Sequence, residues 1–178
     1  MKFMFAVAVA CLLLAAMPAA GLAQAKPDIQ ISDDVIRSVN TYTRFTVFDY
    51  VGVEVQNGVL TLTGRVTMPF KKDEIAQRAA GVDGVKTVRN DIGVLPPSPF
   101  DEDLRHKVAR AIYGNAAFWR YAAMPNPPIH IVVEGGRVTL TGVVQSEVDR
   151  TLARSLATGQ GEVSLTNALR TDARGNNF

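Results

Sequence analysis

From Val51 the chain alternates, Val51, Val53 and Val55 being separated by Gly52, Glu54 and Gln56, the period-two pattern of a half-buried strand. Asn57-Gly58 follows and predicts a type I′ hairpin, because both turn positions need positive φ. Leu60, Leu62 and Val66 then line one face of a second strand, with Thr61, Thr63 and Arg65 on the other. The design returns further on. Residues 51–66 read VGVEVQNGVLTLTGRV and residues 129–144 read IHIVVEGGRVTLTGVV, identical at seven of sixteen positions at a separation of 78. Gly135-Gly136 replaces the turn, and Val138, Leu140 and Val144 replace the inward residues. Gly64 and Gly142 fall on inward parity, where a missing side chain suits a bulge or the close approach of a helix to the sheet. Thr61, Thr63, Thr139 and Thr141 face away from the inferred core as β-formers on an open sheet face.

Helical spacing flanks each hairpin. Ile31, Val35, Val39 and Tyr42 precede the first, behind Ser32, Asp33 and Asp34; Leu104, Val108, Ala111 and Ile112 precede the second, behind Pro99 and Asp101-Glu102-Asp103. A second amphipathic segment follows each hairpin, carried by Ile75, Ala76, Ala79 and Ala80 and then by Val148, Leu152 and Leu156, ending at Gly81 and Gly159. A third strand closes each unit, through Val88, Ile92 and Val94 and through Leu165 and Leu169. Here the separation drops to 77, Asn90 matching Asn167, so the second copy loses one residue after its hairpin. The fold class expected is α+β: two tandem α-β-β-α-β units, each a three-stranded sheet backed by two helices.

Residues 1–25 have a different character. Lys2 precedes an apolar stretch from Phe3 to Met17, broken by Pro18 and followed by small residues, the layout of a secretory signal peptide cleaved after Ala23 or Ala25. The division expected is a signal peptide at 1–25, units at 28–95 and 100–170, a proline-rich linker at 96–99 and a tail at 171–178.

The repeated strand–turn–strand motif, a helix, and then Gly84-Val85-Lys86-Thr87-Val88-Arg89-Asn90-Asp91-Ile92 together resemble the BON domain family. The second copy departs at Gly161-Glu162-Val163, with Glu162 where the family usually has valine. A signal peptide before two such domains is similar to osmotically inducible, transport-associated proteins of the envelope. The resemblance implies periplasmic binding to phospholipid surfaces or to protein clients, and no enzyme activity.

Composition narrows the options further. The 19 Lys+Arg against 17 Asp+Glu give a net charge of +2, too little for a nucleic-acid binder. Two histidines and one cysteine, Cys11 in the leader, supply neither a zinc site nor a disulfide, so no metal or cofactor is expected. No P-loop, G-x-S-x-G or H-E-x-x-H motif occurs. His106 shares a helix face with Glu102 and Asp103 as a solvated charge cluster, and His130 lies on the non-core side of its strand. No catalytic residue is expected.

The better lead is an insertion. Pairing Val35 with Leu104 places nine extra residues in the second copy, fewer if the helix pairing shifts by one turn, within Tyr113 to Pro128, where Phe118-Trp119-Arg120-Tyr121 lies. Aromatic rings beside a cation suit the headgroup boundary of a membrane, and Arg105, Lys107 and Arg110 on the preceding helix add charge. These seven residues are the expected contact for anionic phospholipid or an envelope protein client. Phe118 and Tyr121 equally fit as caps on the core of their unit, as Phe45 and Phe48 do in the first. Gly58, Gly64, Gly136 and Gly142 are the expected structural positions. The alternative function is a chaperone-like or adaptor protein that receives client strands on the threonine-lined sheet.

Overall fold

Both hairpins form at the expected turns. In the computed structural model, which describes residues 25–172, Asn57 and Gly58 have φ of +53° and +80°, and Gly135 and Gly136 have +60° and +72°. The leader up to Gln24, with Cys11, and the tail from residue 173 lie outside the described residues. The first unit comprises α1 (Asp28–Asn40), β1 (Tyr50–Gln56), β2 (Val59–Val66), α2 (Pro69–Ala80), β3 (Thr87–Asn90) and β4 (Gly93–Val94). The second comprises α3 (Pro99–Tyr113), a 3-10 turn (Ala116–Phe118), α4 (Trp119–Ala122), β5 (Ile129–Glu134), β6 (Arg137–Val144), α5 (Glu147–Ala157) and β7 (Ser164–Thr171). The fold is α+β in two tandem units, with Pro99 already the first residue of α3 rather than linker.

The second hairpin strand is central in each sheet. It pairs antiparallel with the first strand and parallel with the third, which returns after the second helix. In the first unit the third strand is interrupted: β3 and β4 keep one register on β2, Val59 opposite Thr87 and Arg65 opposite Gly93, while Ile92 turns into the core between them. In the second unit β7 runs unbroken through eight residues. The matched Asn90 and Asn167 do the same work, donating to Lys72 O (3.0 Å) and Arg150 O (2.9 Å) and so tying the third strand to the second helix.

Each first helix is locked to its own hairpin by an aspartate. Asp28 accepts from the N–H groups of Asn57 (2.6 Å) and Gly58 (3.0 Å), and Asp101 accepts from those of Gly135 and Gly136 (2.8 Å each). Positive φ at both turn positions points two adjacent amides the same way, and a carboxylate with two oxygens can accept from both. These aspartates also correct the helix alignment. Asp28 matches Asp101, Ile31 matches Leu104, Val35 matches Val108 and Val39 matches Ile112, a separation of 73. The insertion is therefore five residues rather than nine, because the true pairing lies one helical turn from the one that hydrophobic spacing suggests.

The repeated glycines do not receive a helix. Gly64 and Gly142 have φ of +117° and +118°, and a Cβ would lie 2.1 Å from Tyr50 O and 1.9 Å from Pro128 O. The close approach is that of the partner strand's backbone at its start. The second helices differ from expectation too. The buried stripe is Lys71, Ile75 and Ala79 on α2 and Asp149, Ala153 and Ala157 on α5, while Val148 is exposed and Leu152 and Leu156 are half-buried. Alanine lets the helix come close to the sheet, so the small face turns inward and the larger valine outward.

Phe45 packs on the first core as expected, but Phe48 packs on the second. The cause is the tight turn at residues 46–49. Asp49 is fully buried and accepts from Thr46 N and Oγ1, Thr67 N and Oγ1 and Lys71 Nζ, all within 2.9 Å. Burial raises its pKa, but Lys71 and the other donors outweigh that, so its carboxyl titrates below the usual carboxylate value. The turn held this way presents Phe48 to the neighbouring unit.

Candidate functional site

The inserted segment after α3 divides its aromatic residues between inside and outside. Phe118 and Tyr121 are fully buried, stacked with ring centroids 5.8 Å apart, and belong to the core of the second unit. Trp119 between them is 70% exposed. A short helix built on a 3-10 turn places residues i and i+3 on one face, so fixing Phe118 and Tyr121 inward forces Trp119 outward. The indole is thus held at the surface by two buried neighbours.

The Tyr121 hydroxyl accepts from Gln145 N (2.9 Å) and donates to Asp149 of α5 (2.8 Å). Burial holds this phenol above its ordinary pKa, so it stays a donor. Arg120 reaches the same carboxylate at 2.6 Å and lies 4.8 Å from the Tyr121 ring. That ion pair joins α4 to α5, the elements that carry Trp119 and Val148, both exposed. Val148, with Leu152, lines a shallow apolar depression on α5. Val148 was legible in the sequence only as a core residue.

The remaining expected contact residues separate. Arg105 is buried, correcting its place beside Phe118 and Tyr121 on a contact surface: it donates to Val133 O (2.8 Å), with Nε unpartnered. Burial lowers its pKa, opposed by Asp101, Glu102 and Asp49. Its reach to β5 is structural, because an edge strand has outward carbonyls to satisfy. Lys107 is exposed and paired with Asp103 (2.6 Å). Arg110 and, on α5, Arg154 are exposed, and neither makes a salt bridge among the described residues. Trp119, Val148, Arg110 and Arg154 therefore share the helical side of the second unit.

The two units meet at the β5 edge and on the outer face of that sheet. Ile131 N donates to Val47 O (2.7 Å), Arg65 pairs with Glu134 (3.2 Å), and the His130 ring faces Phe45 at 5.4 Å and Tyr50 at 6.1 Å. His130 is buried with Nδ1 unpartnered; burial pulls its pKa below the ordinary value, against the backbone of Asp49 and Thr46 and the Asp49 charge. His106 is exposed, edge-on to Phe48 at 5.0 Å. The threonine-lined outer face of the second sheet is partly covered: Thr141 is buried and Thr139 half-buried, while Thr166, Ala168 and Arg170 stay exposed. It forms one wall of a cleft of about 590 Å³ lined by Tyr50, Gly64 and Arg65 from the first unit and by Val132, Glu134, Arg137, Thr139, Thr141, Ala168 and Arg170 from the second. Among the described residues no group of His, Cys, Asp and Glu could hold a metal, and no helix is long and apolar enough to cross a membrane.

Comparison with known proteins gives a family and a distant likeness. The BON domain model matches twice, at residues 27–96 and 101–172. Two solved structures are similar, both of CdsD, a structural protein of the type III secretion system of Chlamydia trachomatis. Its C-terminal domain is 16% identical, with 78% of this chain and 98% of that chain covered and a TM-score of 0.28. The second is also 16% identical, covering 80% and 95%, with a TM-score of 0.27. No curated protein matches the chain.

Proposed function

The chain belongs to the BON domain family, with two copies in tandem, and from that premise we propose a non-catalytic binding module of the cell envelope, exported to the periplasm, whose second unit docks on anionic phospholipid surfaces. The observation that carries this reading is Trp119, 70% exposed between two fully buried aromatic residues. An exposed indole costs solubility and does nothing for the core, while a ring at the headgroup boundary buries its apolar body and keeps its N–H wet. Val148 adds apolar area on the adjoining helix, and Arg110 and Arg154 are available for phosphate.

Sedimentation with vesicles of anionic and of zwitterionic lipid tests this. The parent should pellet with anionic vesicles and be released as salt rises, since exposed charges are screened. Trp119→Ala should lose most of that binding while melting like the parent. Unchanged binding by Trp119→Ala overturns the reading.

One feature favours the adaptor alternative. The β5 edge is already occupied, by Arg105 at the Val133 carbonyl and by Val47 at the Ile131 amide, whereas β7 forms the other edge of the sheet over eight residues. A client strand would add at β7, and its capture would be much less sensitive to salt than lipid binding.

A further inference from the structure

We propose that β7 is an interface between two copies of this chain, pairing antiparallel with the same strand of a partner about a two-fold axis at Thr166. The proposal takes the edge that the adaptor alternative gives to a client strand and assigns it to a second copy. The ladder leaves that edge open. Asp172 N donates to Val144 O (3.0 Å), so Thr166, Ala168 and Arg170 bond to β6, and Leu165, Asn167 and Leu169 direct their N–H and C=O groups outward. Of these three amides only that of Leu169 has an acceptor among the described residues, Asn167 Oδ1 at 3.3 Å. β7 runs eight residues without a proline or a break. The corresponding edge of the first unit is blunted: it is split into β3 and β4, with Arg89 and Asp91 paired at the split (2.6 Å).

Charge selects the partner and the register. Arg170 lies near one end of the edge and Glu162 just before the other, and neither makes a salt bridge among the described residues. Glu162 is fixed in place by the N–H groups of Gly159 and Gln160 (2.8 Å each), and these, Gly159 foremost, hold its pKa below the ordinary carboxylate value. Parallel self-pairing would set like charges side by side. Antiparallel pairing centred on Thr166 sets Arg170 of each copy opposite the partner's Glu162, since both residues lie four positions from that centre. Centring on Asn167 instead would set Glu162 against the partner's Asp172. The Thr166 register also lets Leu165 exchange N–H···O=C bonds with the partner's Asn167, and a two-fold contact closes at two copies. An axis normal to the sheet keeps both helical layers on one side, so the Trp119 surfaces of the two copies face the same way and gain by avidity. That consequence alone rests on the vesicle-docking reading.

Sedimentation equilibrium and oxidative cross-linking of the chain as exported, without lipid, test the pairing. Mass should rise from one chain to two as concentration increases through the micromolar range. Cys11 in the leader is the only cysteine, so single introduced cysteines report on the register. Across a non-hydrogen-bonded antiparallel pair the Cα atoms lie about 4.5 Å apart, within disulfide range, so Thr166→Cys should cross-link to its counterpart. Ala168→Cys, exposed on the same edge, would lie about 13 Å from its counterpart and should not. Arg170→Glu should weaken the dimer about tenfold, with a parent-like melt at dilutions where both are monomeric. Trp119→Ala should dimerise like the parent. A mass of one chain throughout overturns the pairing and returns β7 to the client strand of the adaptor reading. A dimer in which Thr166→Cys fails to cross-link, Ala168→Cys cross-links as well, or Arg170→Glu changes nothing overturns it too.

Discussion

In the first unit the turn after β2 is pinned by Asp49, which accepts from the Thr67 N–H and pairs with Lys71 of α2; in the second the matching Gln145 N–H is held by the Tyr121 hydroxyl, and the matching helix position carries Asp149, paired with Arg120. The charge on the helix is reversed, and so is the charge of the group that meets it. What the fold demands at this joint is a partner for one backbone amide and a counter-charge for one buried helix residue; it does not demand particular residues. The difference lies in burial. The Asp49–Lys71 pair is almost entirely enclosed, whereas Arg120 is 42% exposed at its side chain. The first unit therefore depends on its ion pair, while the second has moved that load to a tyrosine hydroxyl and released an arginine and a tryptophan to the surface.

The comparison can be broken hardest at the glycines, which are the same in both units. Gly64→Val and Gly142→Val each combine positive φ with overlap onto a strand backbone, so each should exceed the about 1–3 kcal/mol of ordinary overpacking and unfold its own unit. Thermal melts monitored unit by unit would show it, and a parent-like melt for either variant would disprove the strand-contact account.

The joint itself comes next. Asp49→Ala strands Lys71 in the interior and should cost about 3–5 kcal/mol, the usual range for breaking a buried pair. Tyr121→Phe removes only a hydroxyl, leaves the Gln145 amide unpaired and should cost about 1–3 kcal/mol. Arg120→Ala should cost less than Asp49→Ala, because the arginine is partly exposed and the buried Asp149 keeps the Tyr121 hydroxyl as a donor. Denaturant titrations that returned the reverse order would refute the division of labour between carboxylate and tyrosine.

A smaller effect should appear with acid. His130 is buried between the units with its pKa lowered, and the charges facing it reduce to Asp49, which Lys71 already neutralises; Tyr50 is the other titratable neighbour. The joined state then binds fewer protons than the separated one below the ordinary histidine value of 6.5. Contact between the units should be full above that pH and weaken as pH falls through it. Small-angle scattering across pH 5–8 should see expansion on the acid side, and His130→Phe should abolish the pH dependence. Expansion on the alkaline side would contradict the burial argument.

The smallest stability effect contrasts two adjacent residues. Trp119→Ala should change stability by no more than about 0.5 kcal/mol, while Phe118→Ala should cost about 3–5 kcal/mol. Similar losses for both would mean that the indole is packed rather than presented.

Much of the scaffold was legible because its signals are local. Asn57-Gly58 and Gly135-Gly136 specify turns through backbone φ, and alternation specifies which strand face is wet. The paired asparagines were visible as a repeat, though their link to the second helix was not. The candidate site was legible only in part. The Phe118–Tyr121 segment stands out by its insertion and aromatic content, and ring size points to Trp119 as the outward one, but a four-residue helix has too little periodicity to fix Phe118 and Tyr121 inward. Hydrophobicity alone points Val148 inward, because it does not register that alanine permits a closer helix.

By itself the sequence determined the two α-β-β-α-β units and their hairpin turns, because each follows from interactions within a few residues along the chain. Only the tertiary structure decided that Phe48 serves the other unit's core, that Asp49 and Tyr121 are counterparts, and that three arginines far apart in sequence share one cleft. Those facts depend on which surfaces meet when the two units pack. That choice is governed by shape and charge across the joint, and no spacing along the chain encodes it.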